Sequence, residues 1–532
     1  MRKKPGASRA FLFAEERHSP SPPGCHGSMV MAVDVTTCAD ADKATDAVSG
    51  LVVAGSPPLH SRFRRRACRA LFACLAAVAA VAAAPALARP AVPEQETLAF
   101  VDVHVLPMDR PGVLHNHSVL VDGGRIVAVA PSLEIPEGAR VVDGKGRAWL
   151  LPGLADMHNH AHAPQDQELL LALGITTTLH MGEAPNSFVG RMRHAVANGE
   201  SAGPRILAAL AVDGSPRYGH LVVADAGDAQ AAVRLASRNG YDFIKVYNTL
   251  SAPAFEALAR EAREHGVGLV GHGVKDVGLQ RQLEAGQSLV AHAEEFLYAF
   301  FPEPSDADPN AAPGEEQMQG AISLLRRHGA TVVADLVTYE AIARQWGRPE
   351  VVESFLRSPE SRYLPPQMRV CWPRQGYSRR DGSLDARLQF LHRFTKAMDE
   401  AGVPLLSGTD APSIPGLVTG FALHRNLAAL VEAGLTPHAA LATATRTPGE
   451  FLRRHRPELP LTGVVAGGAR ADLLLVATDP LRDLATLASP LGVMADGRWY
   501  PRDDLEARKA AIRAAYAAAA ASAREAEAGA AR

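Results

Sequence analysis

The spacing of hydrophobic and polar positions changes twice along the chain. Residues 98–105, 118–129 and 139–146 alternate or run β-branched, and the pairs Asp122-Gly123 and Asp143-Gly144 within the last two are strong turn signals. This pattern predicts short β-strands joined by tight turns. Strand patterns return at 463–476 and 491–500, and an alanine-rich, charged helix is predicted from about Arg502.

Between Pro152 and about Arg456, β-rich runs alternate with helical patterns, which is typical of βα units around a parallel sheet. Residues 252–265 show one such helical pattern, and Gly266 is its expected stop. The eight candidate strands are residues 153–160, 176–181, 205–210, 242–247, 268–272, 288–292, 331–337 and 404–410. Eight strands over this length favour a (β/α)8 TIM barrel, with a doubly wound open sheet as the alternative.

The whole pattern predicts an α/β protein with a TIM barrel and one small, β-sandwich-like domain. Residues 97–150 and 459–500 would build that β-domain together, residues 151–456 the barrel, and 501–532 a C-terminal helix and tail.

The first 88 residues have a different character from the rest. Arginines between 62 and 69 precede an apolar run of about 15 residues, 70–84, and then Ala86-Leu87-Ala88. These are the parts of a secretory signal peptide, and the run is short for a membrane span, which needs about 20 residues. We expect residues 61–88 to be cleaved near Ala88, residues 1–60 to be a mis-extended start, and the protein to be periplasmic or secreted without a stable membrane anchor. An uncleaved anchor or an alanine-rich helix is the alternative, and the choice between general and twin-arginine export stays open.

Composition and charge exclude several classes of protein. Hydrophobic residues at 47% exclude a wholly disordered chain. The net charge of −2 lacks the basic excess of a nucleic-acid binder. Residues 1–88 hold 11 Lys and Arg and 6 Asp and Glu, which leaves 44 and 51 in the remainder and a net charge of −7. Four of the five cysteines also lie in 1–88, so only Cys371 remains and a disulfide scaffold is excluded.

Six polar residues stand where the predicted barrel strands end. His158 and His160, at i and i+2, would share one face of the first strand. The other four are Lys245 inside an apolar strand, His272, His292 and Asp410. Barrel enzymes place catalytic groups at these strand ends. A buried lysine is costly unless it is paired or modified. Each histidine alone is more simply a structural residue, but the six together indicate a catalytic site.

The same residues resemble a known family. The run Pro-Gly-Leu-Ala-Asp-Met-His-Asn-His at 152–160, Lys245, His272, His292 and Ser407-Gly408-Thr409-Asp410 resemble the metal-dependent amidohydrolase superfamily. Within it the chain resembles the imidazolonepropionase-related or prolidase-like branch, of the binuclear type. The resemblance covers about residues 97–500.

The resemblance implies two divalent metal ions, with zinc expected. His158, His160 and Asp410 would hold one ion, and His272 and His292 the other, while a carboxylated Lys245 would bridge both. Imidazole and carboxylate ligands suit zinc, and manganese, iron or cobalt stay open. Such a pair would activate a water to hydroxide and polarise a carbonyl, and Asp410 would take the proton of the water.

The expected reaction is hydrolysis of an amide C–N bond in a dipeptide (Xaa-Pro or similar) or an N-acyl amino acid. The alternatives are a cyclic amide or lactone hydrolase and a catalytically silent binding protein on the same fold. Residues 303–319 are a lid or a solvated insertion, and a homo-oligomer stays open. The candidate substrate-binding residues are His180, Tyr247, Asn248, Arg362 and Tyr363.

Overall fold

The computed structural model describes residues 90–302 and 310–530. The predicted leader and its cleavage site, and residues 303–309 of the predicted lid, lie outside the described residues. The strands are β1 Leu98–Val105, β2 Leu114–Asp122, β3 Arg125–Ala130, β4 Arg140–Asp143, β5 Trp149–Pro152, β6 Leu154–Asn159, β7 Ile175–His180, β8 Arg205–Asp213, β9 Leu221–Val222, β10 Phe243–Val246, β11 Gly268–Gly271, β12 Gln287–Val290, β13 Thr331–Val333, β14 Leu405–Leu406, β15 Leu473–Val476, β16 Gly492–Ala495 and β17 Arg498–Pro501.

Helices follow most of the strands between β6 and β14. They and the later helices are α1 Pro164–Ala172, α2 Arg193–Ala197, α3 Ala226–Arg238, α4 Ala252–Glu264, α5 Leu279–Glu284, α6 Glu295–Ala299, α7 Glu315–His328, α8 Leu336–Gln345, α9 Pro349–Arg357, α10 Pro366–Cys371, α11 Asp385–Glu400, α12 Phe421–Glu432, α13 Pro437–Thr443, α14 Arg446–His455 and α15 Arg502–Ala530. A π-helical turn, Phe188–Met192, leads into α2, and short 3₁₀ turns occupy Pro216–Tyr218, Pro359–Tyr363, Trp372–Arg374, Gly376–Arg379 and Leu484–Ala488.

Eight parallel strands form a barrel in the order β6-β7-β8-β10-β11-β12-β13-β14, with β9 beside β8. Met157 N donates to the Ser407 carbonyl (2.9 Å) and Thr409 N to the His158 carbonyl (2.8 Å), so the first and last strands also meet. One buried apolar cluster takes side chains from all eight strands, and Phe451 of α14 joins it. This filled interior confirms the predicted (β/α)8 barrel, and the open-sheet alternative is wrong.

A second sheet combines strands that precede the barrel in the sequence with strands that follow it. Its order is β17-β16-β15-β5-β1-β2-β3, with β4 beside β1. We call it the terminal sheet. Strands β5 and β6 are separated by Gly153 alone, so the terminal sheet leads directly into the barrel. Within the described residues, no helix combines the length and hydrophobicity that crossing a membrane requires.

The local predictions succeed best where a capping signal accompanies the pattern. Helix α4 starts after Ser251, whose Oγ accepts from Ala254 N, and it ends before Gly266 at φ +67°. Two predicted strands were too long. The apolar run 331–337 is a strand only to Val333 and enters α8 at Leu336, while 404–410 is a strand only at Leu405–Leu406. Apolar spacing does not separate a short barrel strand from the buried start of the next helix.

Candidate active site

His158 and His160 lie where β6 ends inside the barrel. His158 is fully buried, and its Nδ1 donates to the Ala291 carbonyl (3.0 Å). Since a carbonyl only accepts, this bond leaves Nε2 of His158 with its lone pair. The backbone N of His160 donates to the Ala411 carbonyl (2.8 Å), which holds this residue against the loop after β14.

That loop supplies Asp410, whose Oδ1 lies 2.9 Å from His160 Nε2 and 3.4 Å from His158 Nε2. Asp410 has φ +53°, a left-handed conformation that aspartate tolerates better than most residues. A Cβ on Gly408 would lie 2.7 Å from His158 Cβ and 2.5 Å from Val333 Cγ1, so only glycine permits this approach. Burial raises the pKa of Asp410, but the hydrogen bond from His160 and the neighbouring positive charges outweigh it and lower the pKa. Asp410 is therefore a carboxylate at neutral pH.

Lys245 of β10 reaches the same point from the other side of the barrel. It is 1% exposed, and its Nζ lies 3.4 Å from His158 Nε2 and 5.7 Å from the centroid of the Tyr247 ring. Burial lowers the pKa of Lys245, although Glu183 and Asp410 oppose that change. A lowered pKa increases the fraction of neutral amine, the form that reacts with carbon dioxide.

His272 and His292 follow β11 and β12, and each has a carboxylate at its Nδ1. Glu295 Oε1 accepts from His272 Nδ1 (2.5 Å), and Asp335 Oδ2 accepts from His292 Nδ1 (2.6 Å). A carboxylate at one ring nitrogen fixes the tautomer and leaves Nε2 to ligate, which is the usual arrangement around protein metal ions. The two rings are 5.1 Å apart between centroids, and His292 lies 4.3 Å from the ring of His158.

The donor set fits a divalent metal centre. Ligand atoms of His158, His292 and Asp410 all lie within 4.8 Å of one another, and His292, Glu294 and Asp335 form a second such group. Imidazole nitrogens and carboxylate oxygens are the donors that zinc and related ions prefer. His158, His160, Lys245, His272, His292 and Asp410 therefore converge in space, as their positions at strand ends predict.

Four supporting residues were missed from the sequence. Glu183 contacts His160 Nδ1 through Oε2 (2.6 Å), and its Oε1 accepts from His220 Nε2 (2.5 Å). Glu295 and Asp335 are the other two. Asp335 stands two residues after β13, a position that could have revealed it, whereas Glu183 and His220 lie in loops with no distinguishing pattern.

The predicted substrate-binding residues divide into two groups. Tyr247 packs on His272, with ring centroids 4.2 Å apart, and His180 lies 5.7 Å from the His160 ring. Asn248 is partly buried and its carbonyl accepts from Lys275 N (3.1 Å), a backbone contact only.

Arg362 and Tyr363 make their contacts elsewhere. Arg362 is exposed and its Nε donates to the Pro359 carbonyl, while Tyr363 is buried against Phe421 and its hydroxyl accepts from Arg513 of α15. The structure joins Tyr363 to the C-terminal helix and does not bring it into contact with the histidines. The sequence run around Tyr363 gave no indication of this pairing, because Arg513 is 150 residues away.

Solved structures resemble this chain over most of its length. A bottromycin amidohydrolase aligns with a TM-score of 0.62 and 25% identity, over 81% of this chain and 92% of its own. A putative prolidase from Bifidobacterium longum aligns with a TM-score of 0.57 and 23% identity, over 79% and 100%. At this identity the prolidase supports the fold alone.

The curated relatives match only a short segment. A dihydroorotase of Mycobacterium tuberculosis (strain ATCC 25618 / H37Rv) is 48% identical over 46 residues, and the chain spans about a tenth of that protein's length. The sequence model of the amidohydrolase family, in contrast, matches residues 149–500, which include all six converging side chains. The chain belongs to the amidohydrolase family.

Proposed function

We propose that this protein is an exported, binuclear metal-dependent hydrolase that cleaves the amide C–N bond of a dipeptide, such as Xaa-Pro, or of an N-acyl amino acid. The observation that carries the proposal is the position of Lys245 Nζ beside His158 Nε2, within the ring of histidines. A mononuclear member of the imidazolonepropionase type has no use for a lysine there. This favours the prolidase-like branch.

The residues present would hold two ions. His158, His160 and Asp410 would ligate one, His272 and His292 the other, and Lys245, as a carbamate, would supply an anionic bridge. When bound, such ions supply Lewis acidity for the substrate carbonyl and lower the pKa of a water. Zinc is the expected metal on its ligand chemistry.

Asp410 is the residue that we expect to move the proton. It is a carboxylate at neutral pH, and its Oδ1 lies among the ligand atoms. It would accept a proton from the attacking water and return it to the leaving amine, as a general base and then a general acid. Glu295 and Asp335 would hold His272 and His292 in place.

The test is a hydrolysis screen of the metal-loaded protein against Xaa-Pro and other dipeptides, N-acyl amino acids, cyclic amides and lactones. We expect release of a free amine from dipeptides or N-acyl amino acids. Turnover confined to lactones or cyclic amides would contradict the proposed substrate class, and a complete absence of turnover in a protein with two bound metals would favour the silent binding protein.

Export is proposed from residues 61–88 alone. The test is N-terminal sequencing of the native protein, together with its recovery from the periplasm or medium. A mature chain that starts near Ala88 or Arg89 supports export, and a mature chain that starts at Met1 contradicts it.

A further inference from the structure

A cavity lined by both charged and apolar side chains lies at the opposite end of the barrel strands from the histidines. Its volume is about 250 Å³, and it opens between the start of β8 and strands β16 and β17 of the terminal sheet. The carboxylates Asp242 and Asp496 line it. Five arginines also line it, namely Arg193, Arg205, Arg456, Arg470 and Arg498. Arg205 is the first residue of β8, whereas the histidines lie at or just beyond the last residues of their strands, so the cavity is separate from the candidate active site.

Three of these arginines already have carboxylate partners. Arg193 donates to Asp242 Oδ2 (2.9 Å), and Arg456 contacts Asp242 as well. Arg470 Nε lies 3.0 Å from Asp472 Oδ2 and 3.4 Å from Asp496 Oδ1. These pairs account for the carboxylates around the cavity.

Arg205 is different because its side chain is 91% buried and its terminal nitrogens are not satisfied. Within the described residues, neither Nη1 nor Nη2 has a hydrogen-bond partner, and the Asp472 carboxylate is 3.9 Å from Nη2. Burial, and then the charge of Arg470, lower the pKa of Arg205 to about 10, so it remains charged at neutral pH. A buried, charged guanidinium whose terminal nitrogens lack hydrogen bonds is costly unless a ligand supplies the acceptors.

Arg498 of β17, in the terminal sheet, resembles Arg205 in having a buried, unsatisfied nitrogen. Its Nη1 is buried and likewise lacks a hydrogen-bond partner among residues 90–302 and 310–530. Five guanidinium groups face three carboxylates here, Asp242, Asp472 and Asp496, with the more exposed Glu458 beside Arg456. The cavity therefore has an excess of positive charge and donors pointing from two different sheets.

We propose that this cavity is a binding site for a phosphate-type oxyanion, held by Arg205 from the barrel and Arg498 from the terminal sheet. A tetrahedral anion presents oxygens in several directions, which suits guanidinium donors that come from two sheets. The bound anion would link the barrel to the terminal sheet and stabilise the folded state in proportion to its occupancy. The site needs no bound metal and does not depend on the proposed hydrolase activity.

The test is calorimetric titration of the metal-loaded protein with inorganic phosphate in a buffer without other oxyanions. The variant is Arg205→Met, which keeps an unbranched side chain of similar apolar character along its stem and removes the charged guanidinium. Arg357→Met removes the same charge at an exposed helical position on α9 and serves as the matched control. We expect one saturable site in the wild type and in Arg357→Met, and affinity reduced about tenfold or more in Arg205→Met.

Phosphate that binds the active-site metals would be unaffected by Arg205→Met, so equal binding in all three proteins would overturn the proposal. Absence of saturable binding to the wild type would overturn it too. If Arg205→Met does not fold, Arg498→Met takes its place, with the same expected loss. Titration with glycerol 3-phosphate tests whether the natural ligand is the free ion or the phosphoryl group of a larger molecule. Tighter binding than that of inorganic phosphate identifies a phosphoryl group of a larger molecule, and weaker binding identifies the free ion. Equal binding of acetate would contradict selection of a tetrahedral oxyanion.

Discussion

Lys245 Nζ lies 3.4 Å from His158 Nε2, and both side chains are almost completely buried. His158 Nδ1 is committed to the Ala291 carbonyl, so its Nε2 is the ring nitrogen that faces the lysine. A positively charged ammonium group at this place would repel any metal ions bound by the surrounding histidines. Conversion of the amine to an anionic carbamate reverses its charge and gives it two oxygen donors. This pair of residues therefore fits the proposed binuclear centre, in which the buried lysine would serve as a carbamate.

Replacement of Lys245 by alanine should remove the bridge and with it most of the bound metal. We expect metal content well below that of the wild type, and partial recovery of metal and turnover on addition of a small carboxylate such as formate or propionate. Elemental analysis of the purified variant checks the first part. Lys275→Ala, at an exposed lysine, is the matched control. Unchanged metal content in Lys245→Ala would count against the bridge.

Glu295→Gln should weaken the binding of the metal ion that His272 would hold, although it removes no metal ligand. Glu295 accepts from His272 Nδ1 through one oxygen and from Gly273 N (2.9 Å) through the other, so the backbone fixes the carboxylate that orients the imidazole ring. Loss of such a supporting carboxylate lowers metal affinity by about 10- to 100-fold. Competition with a chelator measures this change, and Glu284→Gln on α5 provides an exposed comparison. Equal chelator resistance in the two variants would refute the orienting role.

Gly408→Ala should disturb both the barrel and the site. Its new Cβ would fall 2.7 Å from His158 Cβ and 2.5 Å from Val333 Cγ1, closer than atoms can pack. Overpacking of this kind costs about 1–3 kcal/mol, and the shift of His158 should also lower metal content. Thermal unfolding and elemental analysis check the two effects. Gly320→Ala on α7, where a Cβ meets no atom within 4 Å, should not destabilise the protein.

His424 should make the protein less stable in mild acid. It is partly buried on α12, where its Nε2 donates to the Leu173 carbonyl (2.9 Å), and the loss of solvent around the ring lowers its pKa to about 4. Between that pKa and the ordinary value of about 6.5, the unfolded chain binds more protons, so stability falls as the pH is lowered through this range.

His424→Gln should remove on the order of 2–3 kcal/mol of this pH dependence, because glutamine keeps a donor for Leu173 and does not titrate. Melting temperatures between pH 4 and 7 measure it, with the exposed His328→Gln as the comparison. Parallel pH profiles for wild type and His424→Gln would show that this histidine is not responsible.

Much of the fold follows from local patterns, because its signals lie within a few residues. Helix α4 has its cap at Ser251 and its stop at Gly266, and both are visible in the sequence. Strand β13 was predicted too long because apolar residues continue on both sides of Asp335 and lead into α8. Nothing in the spacing of hydrophobic residues marks the point where the chain turns.

The converging side chains could be predicted because strand ends of one barrel share one edge. The residues that support these side chains could not be predicted, because Glu183 and His220 are 37 residues apart in the sequence. The cavity lined by arginines is even harder to predict, because no local sequence pattern marks its residues. Arg205 approaches Asp472, 267 residues later, only because the terminal sheet packs beneath the barrel.

In the proposed function, this metal centre performs amide hydrolysis with Asp410 as its proton carrier. The most direct test is the turnover of one dipeptide or N-acyl amino acid substrate by wild type and Asp410→Asn at equal metal content. We predict that Asp410→Asn keeps substantial metal and loses nearly all turnover, since an amide cannot accept the proton of the water. Turnover equal to that of the wild type would show that Asp410 does not carry the proton.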